Sequence, residues 1–244
     1  MKFLVCISKT PDTTSKIAFT DNDTKFNSAG VTYILNPYDE WYALVRACEL
    51  KEALGGTVTV LNVGLLDNET IIRKALAIGA DDAIRVDADP LNAQFVAHQI
   101  AAQAKGYDIV FLGKETIDYN GSEVGSTVAE LLDLPYISYA SKLEISGTTA
   151  SVEREIEGGK EILEVTLPFV LSAAKGMAEQ RIPNMQGIMK SRSKPLNVVA
   201  AVEVENYVNL VTHELPPAKS GVKMIDADNM AELVRLLHEE AKVI

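Results

Sequence analysis

Short apolar runs alternate with helix-patterned segments along the first half of the chain, and this alternation limits the fold more than any other feature. Lys2–Ser8, Thr57–Val63, Ala83–Val86 and Asp108–Leu112 are brief β-rich runs with little polar alternation. Such runs read as strands covered on both faces by helices. Val31–Leu35 is a further β-rich run, stopped by Asn36-Pro37. Helical stretches lie between: Pro37 to about Leu54, closed by Gly55-Gly56; Glu69 to Ile78, capped by Asn68 and closed by Gly79; Pro90 to about Lys105, closed by Gly106; and Ser122 to about Leu132. Proline suits the first helical turn, Asp39 and Glu40 suit its positive end, and glycine ends a helix. The order βαβαβα predicts a doubly wound α/β fold with a mostly parallel sheet and right-handed crossovers.

The pattern changes after Pro135. Lys142–Glu153, Glu155–Thr166 and Phe169–Ala173 read as short strands with glycine turns at Gly147 and Gly158-Gly159, an added β-hairpin on the sheet. Ala174–Leu196 carries five basic residues and reads as a surface loop with a short helix. Pro216-Pro217 precedes an amphipathic helix from about Asp228 to Ala241. The expected division is an α/β domain over 1–195, including the loop at about 174–195, and a C-terminal arm and helix over 196–244.

Charge narrows the partners. Lys and Arg total 23 against 34 Asp and Glu in 244 residues, a net charge of −11. That argues against a nucleic-acid binder and against docking on an anionic membrane. No apolar run approaches the ~20 residues of a membrane span. The N-terminus is too quickly polar for a signal peptide. Cys6 and Cys48, the two cysteines, make neither a disulfide framework nor a metal motif, which points to the reducing cytoplasm.

In an open parallel sheet, ligands sit at the carboxyl ends of the strands. Ser8–Asp12, Asn36–Glu40, Val63–Asp67 and Gly113–Gly125 follow predicted strands. The last reads Gly-Lys-Glu-Thr-Ile-Asp-Tyr-Asn-Gly-Ser-Glu-Val-Gly ahead of a helix, where free amides favour an anion. It is neither a P-loop nor GxGxxG, so a plain serine-capped turn competes with phosphate binding. His98, His213 and His238 have no metal spacing, Cys6 falls inside a buried strand, and no nucleophile–base pair is evident.

The chain resembles the β subunit of electron-transfer flavoprotein over essentially its whole length. The likeness rests on KFLVCISKTPD at the start, NPYDE at Asn36–Glu40 and RKALAIGADDAIRV at Arg73–Val86. It continues through GKETID and the glycine-rich loop, VEREIEGGKEILEVTLPFVLSA at Val152–Ala173, and PPAKSGVK at Pro216–Lys223. The resemblance implies an adenine-nucleotide-binding α/β fold and a heterodimer. In it, the α subunit carries most of a redox FAD, and the β subunit forms one wall of that site and binds a structural AMP. Residues 196–244 would pack on the α subunit. The dimer would take electrons from primary dehydrogenases, such as acyl-CoA dehydrogenases in fatty acid oxidation, and pass them to a quinone oxidoreductase. It would be an electron carrier with no catalytic residues, the chemistry being the cofactor's.

Carried over by position, AMP would contact Cys6, Asn36, Pro37, Tyr38, Asp39 and Val63. Gly113, Asp118, Gly121, Ser122, Glu123, Val124 and Gly125 would wrap its ribose and phosphate. Ser122-Glu123-Val124 stands where the mitochondrial type has Asn-Gln-Thr, and electron-bifurcating relatives hold a second FAD there. Glu123 should therefore turn its carboxylate away. AMP and a second FAD both remain open. The FAD wall falls on Tyr38, while a second contact, often Tyr, falls on Thr13 and is altered. Met185, with Ile188 and Lys190, falls on the loop that recognises dehydrogenases, where an unbranched side chain suits several partners. Two other classes compete: a stand-alone adenine-nucleotide-binding protein, and a hydrolase or transferase on the same fold.

Overall fold

A computed structural model describes residues 1–219 and 221–244. Ser220, inside the predicted arm Pro216–Lys223, lies outside the described residues. In chain order the elements are β1 (Lys2–Cys6), β2 (Lys9–Pro11), β3 (Phe19–Thr20), β4 (Lys25–Phe26), β5 (Tyr33–Leu35), α1 (Asp39–Leu54), β6 (Thr57–Val63) and α2 (Glu69–Ile78). Then come β7 (Asp82–Asp87), α3 (Ala93–Gln103), β8 (Ile109–Gly113), α4 (Val124–Leu132), β9 (Tyr136–Ser146), β10 (Thr149–Ile156), β11 (Gly159–Thr166), β12 (Phe169–Ala173), α5 (Met185–Ser191), β13 (Leu196–Ala200) and α6 (Met230–Glu239).

Two compact units emerge. The larger comprises Met1–Ile17 with Ser28–Leu210. Its nine-stranded sheet runs β11-β10-β9-β12-β8-β1-β6-β7-β13. From β9 through β13 of this order every pairing is parallel, and β10 and β11 add an antiparallel hairpin. This is the doubly wound α/β fold expected. The chain leaves β1 for β6 and β7 on one side and returns as β8 on the other. The crevice at the carboxyl ends of β1 and β8 is therefore the switch point where such sheets take ligands.

Side-chain alternation explains the two layers. On one face Phe3, Val5, Val58, Val60, Phe111 and Leu171 pack with α1 and α2 residues such as Leu44, Ile72 and Leu76. On the other, Leu4, Cys6, Leu61, Val63, Val110 and Val170 pack with Ala97, Ile100 and Val128 of α3 and α4. Residues of both sets alternate along β1, so one strand feeds two cores, the property that erased polar alternation from its sequence.

Four differences from the sequence reading are physical. The run Val31–Leu35 supplies only β5, which leaves the main sheet and pairs with β2 in a two-stranded ribbon. The window Lys142–Glu153 straddles the turn at Gly147, so it contributes to two strands, β9 and β10. Leu196–Ala200, not expected as a strand, adds a parallel edge beside β7. Asn68 also does not cap α2; its amide donates to Asn62 Oδ1 at 2.9 Å instead.

The smaller unit joins Ala18–Asn27 with Val211–Ile244. Within it Phe19 stacks on His213 at 4.7 Å, and the His213 amide donates to the Asp23 carbonyl at 2.7 Å. In α6, Asn229 accepts the Glu232 amide as an N-cap, and Arg235 pairs with Glu232 and Glu239. No helix among the described residues is long and apolar enough to cross a membrane.

Candidate functional site

The carboxyl ends of β1 and β8 are joined by buried polar side chains. Asn36, fully buried between β5 and α1, donates its amide to the Glu115 carbonyl at 3.1 Å and accepts the Ile117 amide at 3.1 Å. Its own backbone amide donates to the Ser8 carbonyl at 3.0 Å. One side chain thus ties the segment after β1 to the Gly113–Gly125 loop. Glu40, also buried, accepts the Ser8 amide and the Ser8 hydroxyl, both at 2.6 Å. Burial pushes the Glu40 carboxyl up to about 8, against the pull of the Ser8 hydrogen bonds and with help from Asp118 and Asp39. Burial likewise pushes the Cys6 thiol far above its ordinary range, with Glu40 adding to the effect. A thiol held neutral this way is no nucleophile.

Gly113 closes this contact. A Cβ there would lie 2.7 Å from Glu40 Cγ and 2.9 Å from the Glu40 amide nitrogen. Only glycine lets the start of α1 approach the end of β8 so closely. Past it, Asn120 and Ser122 adopt positive φ, 51° and 54°, so the loop coils tightly before α4. Glu123 precedes α4 without a side-chain cap. A capless helix start offers its first amides to an anion. The Glu123 carboxylate folds back over the loop, with Oε1 3.2 Å from where a Gly121 Cβ would stand. Gly125 is also required: a Cβ there would lie 2.7 Å from the Tyr136 hydroxyl.

The sequence-derived residues divide into two groups. Cys6 and Val63 end β1 and β6 on the α3/α4 side of the sheet. Pro37, Tyr38 and Asp39 line a different space, a cleft of about 320 Å³ shared with Tyr42, Lys114, Glu115, Ile117, Tyr139, Glu155, Ala174 and Lys175. Tyr38 is 58% exposed there, with φ 65° and ψ −104°. Burial raises the Asp39 carboxyl to about 6, with Lys114 opposing the rise. Lys114 pairs with Glu115 at 2.8 Å and lies 5.4 Å from the Tyr139 ring centroid. Thr13 sits in an exposed turn held by Asp12, whose carboxylate accepts the Thr14 amide and hydroxyl. Sequence reasoning missed Glu40, Tyr139 and Ser172 as parts of this region. Glu40 falls in the Asn36–Glu40 segment that the sequence marks, but no local pattern shows its buried contact with Ser8, and Tyr139 and Ser172 meet only through the sheet.

The predicted recognition loop is braced by side-chain contacts from α1 and α2. Trp41 Nε1 donates to the Arg181 carbonyl at 3.2 Å, and Arg181 pairs with Glu52 at 2.7 Å. Arg73 donates to the Ser191 and Lys194 carbonyls. Gly187 lies against α2, where a Cβ would stand 2.4 Å from the Ala77 carbonyl oxygen. On this base Met185 is 73% exposed and Ile188 40%. Lys190 is exposed at the last turn of α5.

These features fit the groups that the family resemblance implies. A glycine-floored loop with a capless helix start suits a nucleotide phosphate, and a cleft walled by exposed tyrosines suits one edge of a flavin ring. No group of three or more His, Cys, Asp or Glu able to hold a metal occurs among the described residues.

Comparison with known proteins identifies the family. The family model described as electron transfer flavoprotein domain matches residues 23–204. The electron transfer flavoprotein subunit beta of Bacillus subtilis is 37% identical over 262 aligned residues, covering all of both chains. That of Syntrophomonas wolfei is 38% identical over 93% of this chain and 90% of its own. The acryloyl-CoA reductase electron transfer subunit gamma of Anaerotignum propionicum is 32% identical over 87% of this chain and 83% of its own. The chain belongs to the electron transfer flavoprotein β-subunit family, whose role is electron transfer.

Proposed function

We propose that this chain is the β half of a cytoplasmic heterodimer whose α subunit holds a redox FAD, and that it carries a structural AMP of its own. The observation that carries this reading is the Asn36 clasp, which fixes the Gly113–Gly125 loop over the sheet's switch point. Phosphate would lie on the amides around Ser122, Val124 and Gly125, with Gly113 and Gly121 shaping the loop that presents them. Cys6 and Val63 would border the adenine through backbone and apolar surface, since the buried Cys6 thiol stays neutral. Glu123 would contribute backbone only. Asp118, Pro37 and Asp39 would border the site from the loop and the start of α1.

The FAD, when bound, supplies the redox chemistry. The residues here position it and exclude water. Tyr38 would lie against its ring, and Thr13 would contribute at most a small polar contact. Met185, Ile188 and Lys190 would dock a primary dehydrogenase, such as an acyl-CoA dehydrogenase, with a quinone oxidoreductase as the onward acceptor. The resemblance to an acryloyl-CoA reductase electron transfer subunit supports an acyl-CoA enzyme as one partner.

A second reading, a second FAD in place of AMP, is favoured by Ser122-Glu123-Val124, which departs from the mitochondrial Asn-Gln-Thr. Nucleotide content decides. The chain is co-expressed with its α partner, the dimer is denatured, and released nucleotides are separated by liquid chromatography. One FAD and one AMP per dimer support the shuttle. Two FAD and no AMP support the second reading. FAD alone would overturn the structural-nucleotide assignment.

A further inference from the structure

We propose that Tyr139 is a second aromatic contact of the flavin ring, lining the same cleft as Tyr38; this rests on the flavin-wall reading above. Three features single it out. First, Tyr139 interrupts its strand. Between Leu171↔Ile137 and Ala173↔Ala140 the register shifts, so β9 advances three residues while β12 advances two. Such bulges re-aim a side chain and concentrate beside functional sites. Here the bulge leaves Tyr139 42% exposed although its neighbours Ile137 and Ala140 are buried.

Second, the backbone is held in an unfavourable conformation. Tyr139 has φ 56°, uncommon for a bulky residue. Its amide donates to the Ser172 hydroxyl at 3.2 Å, which also accepts the Tyr136 hydroxyl at 3.0 Å. Tyr38, the other exposed tyrosine of the cleft, also has positive φ. Strain retained at two aromatic residues of one cleft marks a site whose geometry is over-determined. Third, the ring is electrostatically seated. The Lys114 ammonium lies 5.4 Å from the ring centroid, within cation–π range, at the cleft wall.

Fluorescence of the bound flavin tests this. A tyrosine in contact with an isoalloxazine donates an electron to the photoexcited ring and recovers it in the dark, which quenches emission without net chemistry. Heterodimers carrying Tyr139→Phe, Tyr139→Leu and Tyr38→Leu are compared with wild type for FAD content and emission yield. Tyr139→Phe should keep wild-type FAD content with a several-fold higher yield, because phenylalanine packs alike but is a poor electron donor. Tyr139→Leu should show the same rise and lose FAD faster on dilution. If Tyr139→Leu does not assemble, Tyr139→Phe alone decides. Wild-type yield in the Tyr139 variants, with a rise in Tyr38→Leu, overturns the inference and leaves the flavin-wall reading standing. A wild-type dimer without FAD overturns both.

Discussion

The carboxylate of Glu40 accepts both the amide and the hydroxyl of Ser8, each at 2.6 Å, inside the fold. The contact locks the segment after β1 onto the start of α1, beside the predicted nucleotide loop. A buried carboxylate satisfied by one residue still bears its desolvation, which holds its pKa up at about 8.

This fixes the sign of a pH effect. Between the ordinary glutamate range and about pH 8, folded Glu40 keeps a proton that the unfolded chain has released. Stability from this group therefore falls as pH rises through that window, by at most ~1.4 kcal/mol per pH unit. Glu40→Gln should flatten the decline by up to one proton. Urea unfolding from pH 5 to pH 8.5 reads the slope, and parallel curves for variant and wild type would refute the assignment.

Asn36 offers a sharper structural test. Replacing it with Ala orphans the Ile117 amide and the Glu115 carbonyl, both now paired with its side chain. Loss of one such buried partner costs ~1–3 kcal/mol. Urea denaturation should register that loss, and amide exchange should accelerate in residues 114–123 ahead of the rest of the sheet. Uniform protection across the loop would show that other contacts hold it.

Gly113→Ala probes the close approach of α1 to β8. The added Cβ would meet Glu40 Cγ at 2.7 Å and backbone at 2.9 Å, and the backbone atom cannot swing aside. The expected loss is ~1–3 kcal/mol, as for overpacking a filled core. Gly106→Ala is the control, since its Cβ would meet nothing, although its φ of 86° carries a modest strain of its own. Equal melting temperatures for the two variants would mean that crowding at Gly113 costs no more than the backbone strain at Gly106.

The parallel half of the fold was legible because its strands are buried on both faces. Phe3 and Leu4 serve opposite cores, so the run carries no polar punctuation. Edges were harder to read. Leu196–Ala200 is half-exposed and follows a basic loop, so its pairing with Asp82–Asp87 is a tertiary fact without a local signal. Tyr33–Leu35 has strand character but too little apolar length to enter the main sheet. In the site, glycines and Asn36 announced themselves through turn chemistry and position. Tyr139 could not, because its left-handed backbone is paired with Ser172, thirty-three positions away in the chain.

Met185 separates recognition from stability. Its side chain is 73% exposed at the start of α5, while the residues that brace the loop, Trp41, Arg73 and Arg181, lie beneath it. Truncating an exposed side chain that touches no core should change folding free energy by less than ~0.5 kcal/mol. If the exposed thioether enters an apolar pocket on a dehydrogenase, Met185→Ala should slow electron transfer about tenfold, a loss of ~1.4 kcal/mol typical of an anchoring contact. Flavin content and melting temperature of the heterodimer should match wild type. Stopped-flow reduction by an acyl-CoA dehydrogenase measures the transfer. Arg73→Ala should behave oppositely, since it frees the Ser191 and Lys194 carbonyls and loosens the platform. A Met185→Ala dimer that reacts at the wild-type rate removes this side chain from the docking surface and leaves Ile188 as the apolar contact to vary next.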